Sequence, residues 1–193
     1  MPITNDVELK NAVEQAGFLL QEIQDYAGRD FSKEAKVRFP RGYLRTATEL
    51  RHKLAFLPKS HFKSNLSYMM MLSDVQHWLL TRTDISVTAK EMVIKLQIFL
   101  AGTVAESVSK VHLHGKCGGS YKKRIQYLCD KGTIDNDLKD ELDWLWDMRN
   151  RMHIFDVTEH EWNTTAYSLR NHNRAMKAMR GLLDALNAAG LRK

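Results

Sequence analysis

Arg149 and His153 are the two side chains in this sequence best suited to chemistry on a phosphodiester. They stand four positions apart. On a helix turning about 100° per residue they therefore share one face, a single turn apart, and can address one target. Arginine offers phosphate oxygens a planar fork of donors and keeps its charge at any useful pH. Histidine titrates near neutrality, so it can take a proton from a ribose 2′-hydroxyl or give one to a leaving 5′-oxygen. Asn150, beside the arginine, adds a neutral donor.

The helix that must carry them is expected over 133–154, where Leu138, Leu142, Leu145 and Met152 recur every three to four residues. Arg149 and His153 fall on that same apolar stripe. Burying an unpaired charge costs several kcal/mol, so something must pair with the guanidinium. One reading is structural, with Arg149 bridged to Asp143, Asp147 or Glu106 and His153 a satisfied core or helix-end histidine. The other is functional, with the stripe facing a cleft or a second subunit and a phosphodiester as guest.

The rest of the chain reads as helix. Three prolines and ten glycines are too few turn residues for an all-β protein of 193 residues. Further helices are expected over 6–26, stopped by Gly28, over 43–56 and 65–80, separated by Pro58, and over 121–130, closed by Gly132. Thr88 to Glu91 reads as a capping box opening a long apolar helix to about His112. Thr158 to Glu161 reads as a second box, opening a last helix to Gly190 striped by Leu169, Met176, Met179, Leu183 and Leu186. Thr133 or Asp135 can cap the helix that bears Arg149.

Arg149-Asn150-Arg151-Met152-His153, near the end of a helix in a basic all-helical chain, resembles the signature of the HEPN (higher eukaryotes and prokaryotes nucleotide-binding) superfamily. The resemblance spans about 88–187 and leaves 1–86 as an N-terminal helical extension packed on that bundle within one domain. It implies an all-α, up-and-down helical bundle that commonly dimerises and, in many members, a metal-independent endoribonuclease. Arg149 would then be the phosphate clamp, Asn150 a polar helper and His153 the general acid or base, with the two copies' motifs meeting across a homodimer interface. Three residues separate Arg149 from His153, fewer than most members place there. The family also contains non-catalytic members that bind nucleotides or protein partners. By analogy, a toxin or phage-defence role with an antitoxin or other regulatory partner is expected.

Twenty-nine Lys and Arg against 23 Asp and Glu leave a net charge of +6, a bias toward acidic partners such as RNA. Arg151, with Arg170, Arg174 and Lys177 on the last helix, are the candidate RNA phosphate contacts, although a solvated basic face is the blander and favoured reading of the charge run alone. Forty-four per cent apolar and 27% charged residues is globular composition. The longest apolar run, 92–105, is interrupted by Lys95 and Gln97 and is read as core rather than membrane span. Without an apolar leader pattern after Met1, a cytoplasmic location is expected. His112, His114, Cys117 and Cys129 match no tight metal motif, so no metal and no cofactor is expected and the thiols are read as reduced. Phosphate-loop, dinucleotide, zincin and α/β-hydrolase motifs do not occur. Met69 to Met71 with Trp78 reads as adaptable core, and Trp144 and Trp146 as straddling opposite sides of their helix.

Overall fold

The computed structural model describes residues 2–30, 32, 36–151 and 165–190. Among these residues the chain is all-α, with seven α-helices, one 3-10 turn and no strand. It divides into two compact units, Met1–Arg41 and Gly42–Lys193. The helices of 47–82 fall within the second unit.

The first unit holds α1 (Asp6–Ala27). Asn5 caps it, accepting from the Glu8 N–H at 2.9 Å, and Glu8 reaches back to the Thr4 N–H at 2.9 Å and hydroxyl at 3.0 Å. Those bonds to Thr4 hold the Glu8 carboxyl below its ordinary pKa. Gly28, at a φ of 59°, ends the helix where a Cβ would be strained. No residue of α1 is buried, and Val7, Leu9, Val13, Leu20 and Ile23 all remain exposed.

The second unit contains α2 (Ala47–His52), α3 (His61–Arg82), α4 (Val87–His112), α5 (Tyr121–Asp130), α6 (Asn136–Asn150), a 3-10 turn (Thr165–Tyr167) and α7 (Leu169–Gly190). Helix α4 is its hub, packing on α3, α5, α6 and α7, while α2 leans on α3 and α6 joins α5 to α7. The hub needs apolar residues all round, and Ile94, Ile98, Ala101, Val104, Ala105 and Val108 supply them, each 2% exposed or less. Length and composition would let α4 cross a membrane, but it is the core helix of this bundle.

Several element boundaries differ from those expected. Helix α3 starts at His61 rather than at 65. Helix α6, expected over 133–154, runs from Asn136 to Asn150 with Arg151 as its C-cap, so the helix expected to place Arg149 and His153 on one face ends before His153. The helix of 43–56 shrinks to α2 because its flanks are held elsewhere. Before it, Asp74 of α3 accepts from the Arg45 N–H at 3.2 Å and from its guanidinium at 2.9 and 2.5 Å, and Thr46 forms a capping box with Glu49. After it, the Asn187 amide donates to the Lys53 carbonyl at 2.6 Å, taking the acceptor that another helical turn would need. Thr88 is not the cap of α4, since the helix already starts at Val87 and Ser86 is its N-cap without a side-chain bond. Val87 sits at a φ of 50°, a strained setting for a β-branched residue. The box at Thr158 to Glu161 lies outside the described residues, but Thr165–Tyr167 is a 3-10 turn, so α7 starts only at Leu169, which is itself exposed.

Candidate functional site

Asp135 starts the helix that carries Arg149, its carboxylate accepting from the Leu138 N–H at 2.8 Å. Leu142 and Leu145 are fully buried, and Met148 continues their stripe at 7% exposure. Arg149 follows at the stripe's edge and faces α4 at the one place where that helix has no side chain. A Cβ on Gly102 would lie 2.7 Å from Arg149 Cβ and 3.6 Å from the Leu145 carbonyl oxygen. Gly102 thus lets α4 and α6 approach closely, and the guanidinium runs along the groove left between them.

Its head is held on several sides. Nη2 lies 3.4 Å from Glu106 Oε2, and Nη1 donates to Asn150 Oδ1 at 3.0 Å. The guanidinium carbon stands 5.4 Å from the Phe99 ring centroid and 5.1 Å from that of Trp146, within the range where cation–π attraction contributes. Trp146 is fixed in turn by stacking on buried Tyr121 at 4.6 Å, whose hydroxyl donates to the Leu142 carbonyl at 3.4 Å. Burial raises the Tyr121 phenol well above its ordinary pKa, so it stays a neutral donor. Arg149 Nε is buried and finds no hydrogen-bond partner among the described residues. The side chain is 21% exposed and that of Glu106 is 29% exposed, so the pair sits at the bundle surface rather than in its centre.

The other sequence-derived residues divide. Asn150 is the last residue of α6 and touches Arg149, while exposed Arg151 is the C-cap. His153 lies outside the described residues. Arg170 and Lys177 are exposed on α7. Arg174 is committed to a bidentate pair with Glu141, at 2.5 and 3.1 Å, and lies 4.0 Å over Trp144. It flanks a groove carrying Asp135, Asp137 and Asp140, where a phosphate would meet carboxylates. The expected basic stripe is thus interrupted at Arg174. Both cysteines are free, and no trio of His, Cys, Asp or Glu among the described residues could hold a metal.

A second polar cluster escaped the sequence reading. His172, on the first turn of α7, is 3% exposed, and Gln97 of α4 is fully buried. His172 Nε2 is hydrogen-bonded to Gln97 Oε1, and Gln97 Nε2 donates to the Ser73 carbonyl of α3 at 2.8 Å. Gln97 accepts through Oε1, so Nε2 of His172 carries the proton. The His77 ring lies parallel to His172 with centroids 6.0 Å apart. The only hint in the sequence was Gln97 inside the apolar run of α4.

Burial, reinforced by Arg180, depresses both imidazoles, while Asp74 pulls His77 and Asn173 pulls His172 the other way. An unfolded histidine, with its ordinary value near 6.5, then binds protons more readily than the folded one. The stability so gained is complete above that pH and is lost as the pH falls through the depressed folded values. The urea midpoint is expected to fall from pH 7.5 to pH 5.5, and His172→Gln, which cannot titrate, to flatten the fall. An unchanged slope in the variant would exclude His172 as its source.

The chain matches no family model, no curated protein and no solved structure.

Proposed function

We propose that the chain is a HEPN-like, metal-independent endoribonuclease that works as a homodimer in the cytoplasm. The observation that carries this reading is the Arg149 guanidinium, fixed at the bundle surface by Glu106, Phe99 and Trp146 with Asn150 beside it at the end of α6. An arginine oriented before its guest arrives loses little freedom on binding and presents donors where phosphate charge develops. In the reaction His153 of one copy takes the 2′-hydroxyl proton, and the 2′-oxygen attacks phosphorus. The bond to the 5′-oxygen breaks, and His153 of the second copy returns a proton to that leaving oxygen. The products are a 2′,3′-cyclic phosphate and a free 5′-hydroxyl. One histidine cannot be base and acid in one concerted step, which is why two copies are needed. Arg151 and Arg170 remain as exposed cations for the strand, whereas Lys177 borders the groove that carries Asp135, Asp137 and Asp140.

A second reading, a non-catalytic nucleotide- or partner-binding module, is favoured by the Glu106 carboxylate 3.4 Å from Arg149, because it already neutralises the clamp. Mixed RNA incubated in EDTA separates the two. Nuclease action predicts cyclic-phosphate ends, and Arg149→Ala and His153→Ala each losing about 100-fold or more in rate. Cleavage that survives both substitutions overturns the assignment of this pair. Wild-type protein that is folded and binds RNA through Arg149 without cutting it establishes the binding module instead.

A further inference from the structure

Between α3 and α7, away from Arg149, runs a groove of about 460 Å³ lined by His77, His172, Met176, Lys177, Arg180 and Asp184. It lies on the other side of the hub helix. Gln97 supports His172 and Phe99 faces Arg149, and two positions along a helix point about 200° apart.

Its wall combines three chemistries. His172, 3% exposed, is immobilised by the Ser73–Gln97 relay and has the His77 ring parallel to it, so His77 supplies the aromatic face of the groove. Met176 adds an apolar, polarisable contact. Lys177 and Arg180 are exposed, one turn apart on α7, and neither forms an ion pair with another described residue, whereas Arg45, Arg149 and Arg174 are each paired with a carboxylate. Asp184 is the one acid among the described lining residues and stands a turn beyond Arg180, while Lys177 also borders the neighbouring groove that carries Asp135, Asp137 and Asp140, so Arg180 leads in holding an anion here and Lys177 assists. Free cations next to a neutral aromatic and apolar surface suit a ligand that carries both a phosphate and a flat ring.

We propose that this groove binds one nucleotide unit, its phosphate on Arg180 and Lys177 and its base on the His77 and Met176 surface, whether free or as part of a single RNA strand. Stacking of a base on an aromatic side chain is a usual way of holding an unpaired nucleotide.

The full chain is titrated with AMP, with inorganic phosphate and with a fluorescent eight-nucleotide RNA, and binding rather than cleavage is read, so a chain that cuts nothing still tests the site. The Lys177→Ala, Arg180→Ala double variant changes only exposed residues and keeps the fold. It is expected to weaken AMP or RNA binding about 10-fold or more through two lost charge-assisted contacts. His77→Ala is expected to weaken it about 5-fold or more through lost stacking. AMP binding with these losses identifies a free-nucleotide site, and RNA binding with them but without AMP binding identifies a strand contact. Either supports the proposal. Binding that all three substitutions leave unchanged, inorganic phosphate binding as tightly as AMP with no response to His77→Ala, or no binding of either nucleotide probe overturns it.

Discussion

Gly102→Ala is expected to lower the unfolding free energy by about 1–3 kcal/mol through overpacking. The sign has to be argued, because on an exposed helix the same exchange stabilises by about 1 kcal/mol. Here the added methyl would stand 2.7 Å from Arg149 Cβ and 3.0 Å from its Cγ. These are the rooted atoms of the side chain, not a flexible tip, so relief requires α4 and α6 to separate. Movement on the order of 1 Å at a positioned catalytic group can cost about 100-fold in rate. Any RNA cleavage is therefore expected to fall by about that factor, although Gly102 touches no substrate. Urea unfolding checks the first effect, and a variant at least as stable as the parent would show that the two helices separate freely. Measuring the rate under conditions where the variant is fully folded keeps the second effect distinct from the first.

Leu145→Ala is expected to cost about 2–5 kcal/mol, the range for a buried leucine that leaves a cavity. Leu145 is fully buried, belongs to the continuous core, and lies one turn before Arg149 against α4. Surrounded by α4 and the rest of the bundle, the site has little freedom to collapse, which places the loss toward the upper part of the range. The matching substitution on α1, Leu20→Ala, removes a side chain that is 47% exposed and is expected to stay within about 0.5 kcal/mol. The contrast in urea midpoints checks both at once. Equal losses at the two positions would contradict the burial difference between the units.

Much of the helical punctuation was legible because it depends on local chemistry. The end of α5 follows from Gly132, which sits at positive φ, and the start of α6 from the Asp135 carboxylate. The stripe of Leu142 and Leu145 followed from periodicity alone. Glu106 was among the acids expected for Arg149, since a charge on an apolar face requires a partner within reach.

The rest depended on neighbours distant in sequence. Gly102 carried a readable signal, an isolated glycine in a helical run that marks a close approach, but only packing reveals which helix approaches. Arg174 looked like its basic neighbours until Glu141 and Trp144 of another helix committed it. The 43–56 helix had the right periodicity and was cut short by Asp74 and Asn187, which took its flanking backbone groups.

What the amino-acid sequence determined by itself is that this chain is helical, where several of its helices stop, and that one arginine on an apolar face must find a counter-charge. Those outcomes rest on dihedral preference, capping and the cost of burying charge, all of which act over a few residues. Which carboxylate pairs with which guanidinium, that Gly102 is the seat of Arg149, and that Ser73, Gln97 and His172 join into one buried relay were decided only by the tertiary structure. Such choices depend on which helix faces share a space, and side chains far apart in the chain meet there only after the core has closed.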